Sequence, residues 1–262
     1  MQVHKNGQTI ATLADWAKFA GPKITSQWVE GRSAYELANA WWGPNGPVVP
    51  RDFRQLLESR AETAGLVIDE VLPEYRIRFD NNAGEPRNAD LAIIGRVGCS
   101  RVALTVEAKA DEPFAATVAN TFSIALERGL GYPRSRGIQR IEHLGQSLFS
   151  RRQRGQPSIG NLRYQLLTAL AGTLAFARER DARTAVLVVH EFVTDRTSDD
   201  RHFENAKDYA AFLNRLGGTA LLADGLNGVH GPFRVPGAPL FDGPRELLIG
   251  KIVTNRRGIS ES

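Results

Sequence analysis

The run Ala185-Val186-Leu187-Val188-Val189-His190-Glu191-Phe192 constrains the fold of this chain more than any other stretch. It has strand length and is apolar without alternation over its first five residues, so it reads as a central strand buried on both faces. Such a strand needs a layer on each side, and the flanking patterns are helical. Leu162 to Arg180 carries Leu166, Leu167, Leu170, Leu174 and Phe176 on an apolar side, and Asn205 to Leu216 is a second amphipathic helix. Upstream, Arg51 to Ala64 repeats Phe53, Leu56, Leu57, Ala61 and Ala64 at helical spacing before Gly65 ends it. Between these helices lie three strand-like runs, Leu66–Phe79 (broken near Pro73), Ala89–Val97 and Val102–Ala108. The order helix, several strands, helix, strand, helix predicts an α/β fold with a central mixed β-sheet flanked by helices.

The ends of this pattern are less regular. Residues 1–50 read as a small helical N-terminal segment packed on a core of residues 51–262. Thr12-Leu13-Ala14-Asp15-Trp16 opens one helix, and Ser33-Ala34-Tyr35-Glu36 has the spacing of a capping box for another. Trp16, Trp28, Trp41 and Trp42 all fall in this segment, where they either build a small core or stack against a partner. After Phe114 the chain turns helical to about Arg128. An Arg-rich insertion over 128–163 follows, with one short helix at Ile138–Phe149 in a mobile, cationic loop. Beyond Ala220 the chain is rich in Gly and Pro, with an edge strand expected at Glu246–Val253.

Composition narrows the chemistry. The chain has 262 residues, 42% hydrophobic and 24% charged, as in an ordinary globular protein. Cys99 is the only cysteine, so one chain cannot form a disulfide, a thiolate zinc site or an iron–sulfur cluster. The five histidines lack metal-ligand spacing. There is no Gly-x-Ser-x-Gly elbow and no phosphate-binding P-loop. The N-terminus lacks the apolar core of a signal peptide, and no run approaches the roughly 18 apolar residues of a membrane span, so a cytoplasmic protein is expected. The net charge of +4 rests mostly on arginine, whose planar fork suits phosphate, although solvated surface arginines give the same count.

The charges that carry chemistry stand at strand ends. Asp90 opens one apolar run, and Glu107 and Lys109 close the next. Side chains alternate along a strand, so residues 107 and 109 share a face. If the Gly98-Cys99-Ser100 turn folds the two runs into an antiparallel pair, Asp90 lies beside Glu107-Ala108-Lys109. Two carboxylates, the Ala108 carbonyl and an ammonium would then converge at one sheet end. Carboxylates hold Mg²⁺ (or Mn²⁺), which neutralises charge on a phosphodiester and lowers the pKa of attacking water, while a lysine orients or activates that water. Taken alone, the same three residues also fit a surface ion pair.

On Asp90 and Glu107-Ala108-Lys109 the chain resembles the PD-(D/E)XK, or restriction-endonuclease-like, nuclease superfamily, with Ala89 where the motif often has proline. It resembles more closely a bacterial family within that superfamily. The segments are Gly31–Ala38, Leu72-Pro73-Glu74, Asn88-Ala89-Asp90, Val106–Phe114, Arg163–Leu167 and Val188–Phe192, together spanning roughly 30 to 215. The resemblance implies a four-stranded mixed sheet between helices, divalent-metal dependence and DNA cleavage, as in restriction, repair or phage defence. Asp90, Glu107 and Lys109 would be catalytic, with Asp90, Glu107, Ala108 and Glu74 around the metal. Glu74 is expected to open the strand before the Asp90 hairpin, and Glu58 and Glu62 on the preceding helix are alternatives to it. The Gln-x-x-x-Tyr element of the RecB-like branch is missing, since Ala169 follows Gln165 by four; Gln165 either supports the site or lies on the helix surface. Arg134, Arg136, Arg140, Arg151, Arg152 and Arg154 would meet the DNA backbone. Cutting both strands would call for two active sites and hence a homodimer. Two other readings stay open: a nuclease-like fold without catalysis that serves as a DNA-binding or protein-interaction module, and cleavage of RNA.

Overall fold

The computed structural model describes residues 1–22, 27–82, 84–218 and 227–258. Its N-terminal part holds β1 (Gln2–Lys5), β2 (Gln8–Thr9), α1 (Leu13–Ala20), α2 (Ser33–Ala40), a small hairpin of β3 (Trp42–Gly43) and β4 (Gly46–Pro47), and α3 (Arg51–Glu58). The central strands follow: β5 (Val67–Ile77), β6 (Arg87–Val97) and β7 (Ser100–Lys109). Then come α4 (Val118–Gly131), α5 (Gly137–Leu148), α6 (Tyr164–Glu179), β8 (Thr184–Val193), α7 (Asp199–Arg215), β9 (Gly228–Val235) and β10 (Arg245–Asn255).

Among the described residues one eight-stranded mixed sheet runs in the order β2-β1-β5-β6-β7-β8-β10-β9. β5, β6 and β7 form an antiparallel meander, whereas β7, β8 and β10 are parallel. The β6–β7 turn is the tight one its sequence suggests: Gly98 takes φ 56°, the conformation a two-residue hairpin loop requires and glycine adopts without strain. β8 is buried along all but its end residues. One apolar layer lies between the sheet and α4–α7 and includes Leu144, Leu166, Leu170 and Phe212. The other, under α1–α3, includes Trp16, Trp41, Phe53, Leu104 and Val106. Burying a side chain such as Leu104 or Val106 is worth roughly 1.5–3 kcal/mol, so the second layer anchors β7, while Ala103 on its other face enters the first.

Several expectations need correction. The N-terminal segment is not purely helical, because β1 pairs in parallel with β5 and enters the main sheet. Its tryptophans build core, with Trp16 edge-on to Trp42 and Trp41 edge-on to Phe53. α3 stops at Glu58 rather than Ala64, and the chain then turns, with Gly65 at φ 70°. β5 runs unbroken through Pro73, which pairs with Leu91. β10 is not an edge strand, since β9 covers its outer side; residues 219–226 of the Gly/Pro-rich stretch lie outside the described residues. The sheet has eight strands rather than four. The Arg-rich stretch holds the expected short helix as α5, and also the end of α4, which runs on to Gly131 rather than stopping near Arg128. No helix among the described residues is long and apolar enough to cross a membrane.

Candidate active site

β7, β8 and β10 end at the same sheet edge where antiparallel β6 begins, the edge at which parallel α/β sheets commonly present ligand sites. The β6–β7 ladder ends at the pair Leu91↔Val106. One step beyond it Asp90 faces Glu107, and both continue the row of residues 92, 94, 103 and 105 that points toward α6. With the ladder finished, the Ala108 N–H donates to Asp90 Oδ2 at 2.7 Å. The N–H and C=O of one strand residue point the same way, so the Ala108 carbonyl is also directed past the ladder toward β6.

Glu107 is the most heavily bonded acid here. Lys109 Nζ donates to its Oε1 at 2.8 Å, Gln165 Nε2 from α6 donates to the same oxygen, and Arg87 Nη2 donates to Oε2. The Glu107 and Lys109 side chains are 2% and 5% exposed, and Arg87 is 13% exposed. The Lys109 ammonium also lies 5.5 Å from the centre of the Phe114 ring. Asp90 is differently placed. No described residue donates to its Oδ1, so this carboxylate has an open oxygen at the rim.

β5 brings a third acid. Glu74 sits inside the strand rather than opening it, and it takes φ 51°, a left-handed conformation that an L-residue adopts at a cost. Leu72 and Ile77 reach the same apolar layer although strand alternation puts positions 72 and 77 on opposite faces, so the alternation flips at this kink. The kink places Glu74 opposite Asp90, its carboxylate taking the Asn88 amide and its carbonyl the Lys5 ammonium.

These charges set one another's proton affinity. Burial, followed by the charges of Glu107 and Glu74, holds Asp90 well above the usual carboxylate range, and Lys109 and Arg87 offset only part of this. Burial also raises Glu74, with Glu107 adding to it against the Asn88 bond and Lys5. For Glu107 burial is the largest influence and acts upward, but Arg87 and Lys109 together outweigh it and keep the group low. Lys109 would be lowered by burial, yet Glu107, Asp90 and Glu112 raise it, so it stays an ammonium. The cluster is therefore a buried anion–cation pair beside two carboxylates, Asp90 and Glu74, that burial and then like charge make costly to ionise.

Magnesium binds through one or two carboxylates and keeps several waters. Asp90 and Glu107, with the Ala108 carbonyl beside them, meet that need, and the like-charge repulsion on Asp90 is what a cation would relieve. They do not form a larger cage: among the described residues no group of three or more His, Cys, Asp or Glu side chains is arranged to hold a metal ion. The donor set fits a hydrated Mg²⁺ or Mn²⁺, provided Glu107 gives up one bond.

The remaining expected residues fall elsewhere. Glu58 is not brought to the site; it is exposed on α3 and accepts the Gly65 N–H. Glu62 pairs with Arg60. Arg140 is tied to Asp80 at 2.8 Å and lies over the Phe79 ring, whereas Arg134, Arg136, Arg151, Arg152 and Arg154 are exposed, Arg152 donating to the Gln156 carbonyl. Arg87, Asn88 and Lys5 are site residues that sequence reasoning missed. Arg87 is three positions from Asp90, which alternation assigns to the opposite face; Ala89 and Ala92 share one apolar layer, so alternation also fails here.

Residues 9–243 match the model of a family described as a domain of unknown function, DUF6946. No curated protein and no solved structure matches the chain.

Proposed function

This chain belongs to the DUF6946 family, and we propose that it is a magnesium- or manganese-dependent endonuclease of PD-(D/E)XK type that hydrolyses DNA phosphodiester bonds. The observation that carries this reading is Asp90 facing Glu107 beyond the last β6–β7 ladder pair, with Lys109 and Gln165 holding Glu107 in place. Asp90, Glu107 and the Ala108 carbonyl would hold the cation, with Glu74 close enough to add negative charge. The bound cation would supply charge neutralisation at the phosphate and a water of lowered pKa. Lys109, kept protonated by its acidic neighbours, orients that water or offsets charge on the phosphate rather than removing a proton. Gln165 holds the Glu107 carboxylate in one orientation. Cutting both strands of a duplex in one encounter would call for two such sites, and hence two copies of the chain.

A second reading, a nuclease-like DNA-binding or interaction module without catalysis, draws on the occupancy of both Glu107 oxygens by protein donors. Plasmid nicking in Mg²⁺ or Mn²⁺, with RNA as a parallel substrate, separates the two. Cleavage is expected that falls at least about 100-fold in folded Asp90→Asn and Lys109→Met proteins. Nucleic-acid binding without cleavage by the wild type favours the second reading, and undiminished cleavage by both variants removes the site from the mechanism.

A further inference from the structure

Arg87 is bonded to Glu107 itself, and the proposed chemistry leaves it without a task. Of the three acids it bonds Glu107, and its charge lowers the proton affinity of Glu107 most, with lesser effects on Asp90 and Glu74. Its hold there is thin. A guanidinium carries five N–H donors and commonly grips a carboxylate with two of them. Arg87 uses Nη2 on Glu107 Oε2, and its Nε is buried without a partner. Glu107 does not depend on it for orientation, because Lys109 and Gln165 fix the other oxygen. The Arg87 stem runs over Gly172 of α6, where an added Cβ would stand 3.2 Å from Arg87 Cγ, so a glycine in a buried helix interior clears its path. The side chain remains 13% exposed, at the rim where a bound strand would pass.

We infer that Arg87 is a place-holding counter-ion: it covers Glu107 Oε2 while the site is without metal, and it moves to a phosphate oxygen of the bound nucleic acid when a divalent cation takes that carboxylate. The inference rests on the function proposed above and adds a competition to it. A divalent cation on Glu107 Oε2 would repel the guanidinium bonded to that oxygen, and a planar fork released beside a phosphodiester is well shaped for it.

The test uses the full chain with Mn²⁺ alone, titrated by calorimetry and by electron paramagnetic resonance of free Mn²⁺. It compares wild type, Arg87→Gln and Arg87→Lys, each checked for folding by circular dichroism. Binding of a short duplex is then measured in Ca²⁺. Arg87→Gln is expected to bind Mn²⁺ about tenfold more tightly, the loss of one charge-assisted bond to the carboxylate, and the duplex about tenfold more weakly. Arg87→Lys keeps the charge without the fork; it should bind Mn²⁺ with intermediate affinity and the duplex weakly, which preserves the test if Arg87→Gln does not fold. Metal binding by Arg87→Gln alone, with none by wild type, also supports the inference. Equal or weaker Mn²⁺ binding by the folded variants overturns it while leaving the metal site standing. Tighter metal binding with unchanged duplex affinity overturns the transfer to phosphate. Absence of Mn²⁺ binding in all three proteins removes the nuclease reading itself, and the inference with it.

Discussion

Asp90 and Glu107 face each other, yet they should respond to neutralisation in opposite ways. Asp90 is an acid whose proton affinity is raised by burial and by two like charges, so its ionised form opposes folding at neutral pH. Asp90→Asn keeps an acceptor for the Ala108 N–H and removes the repulsion. In EDTA at pH 7.5 its urea midpoint should rise by the equivalent of about 1 kcal/mol, at the expense of metal binding. A lower midpoint would mean that the metal-free fold needs this charge. Glu107→Gln should instead cost about 3–5 kcal/mol in the same measurement, because Lys109 and Arg87 would be left buried without their anion. These acids and Lys109 were legible in the sequence, since one hairpin and strict alternation locate all three. Arg87 and the Glu74 kink were not, because each lies where alternation fails, and only the folded backbone shows where.

Long elements with one clear period were equally legible. α6 and β8 fall within two residues of their expected bounds, and α5 within one. β1, β2 and β9 went unseen for physical reasons: strands of two to four residues have no room for a period, and β9 opens on Gly228 and carries Gly231 and Pro232. β10 was expected at an edge because its outer neighbour was invisible. β8 also makes a prediction of its own. His190 is fully buried, shares a hydrogen bond with Thr254 at 2.9 Å and stacks on Phe192, and burial followed by the charge of Arg256 depresses it to about 3. It is neutral in the fold, whereas the unfolded chain takes up a proton below about pH 6.5. The depressed value therefore contributes stability that is complete above 6.5 and drains away between 6.5 and about 3. Between about pH 5.5 and 4 the wild type should lose roughly 1.4 kcal/mol per pH unit more than His190→Gln does. Parallel pH profiles for the two proteins would show that His190 is protonated in the native state.

The eight-stranded sheet between two apolar layers places the acidic cluster at one sheet edge, while the arginines expected to meet DNA divide into two physical kinds. Arg140 is structural, held by Asp80 and stacked on Phe79. Arg134, Arg136, Arg151 and Arg154 are exposed and make no ion pair among the described residues, so their charge is free to act on a phosphate backbone. The sequence could not separate these classes, because the Asp80–Arg140 pair joins positions far apart in the chain. If DNA lies over this surface, each phosphate contact releases condensed counter-ion, and the logarithm of the binding constant falls with the logarithm of salt by about 0.9 per contact. Fluorescence anisotropy with a labelled duplex in Ca²⁺, between about 50 and 200 mM salt, reads that slope directly. Arg134→Ser/Arg136→Ser should flatten it by about 1 to 2 and weaken binding alike for unrelated sequences, with the unfolding midpoint unchanged. Arg140→Ser should do the reverse, lowering the unfolding midpoint by the equivalent of about 1–3 kcal/mol through loss of a half-buried pair and a stacked ring, and leaving the slope nearly intact. A slope untouched by the first pair of substitutions would move the DNA path away from the α4–α5 turn, and the exposed Arg151 and Arg154 would then be the next residues to replace.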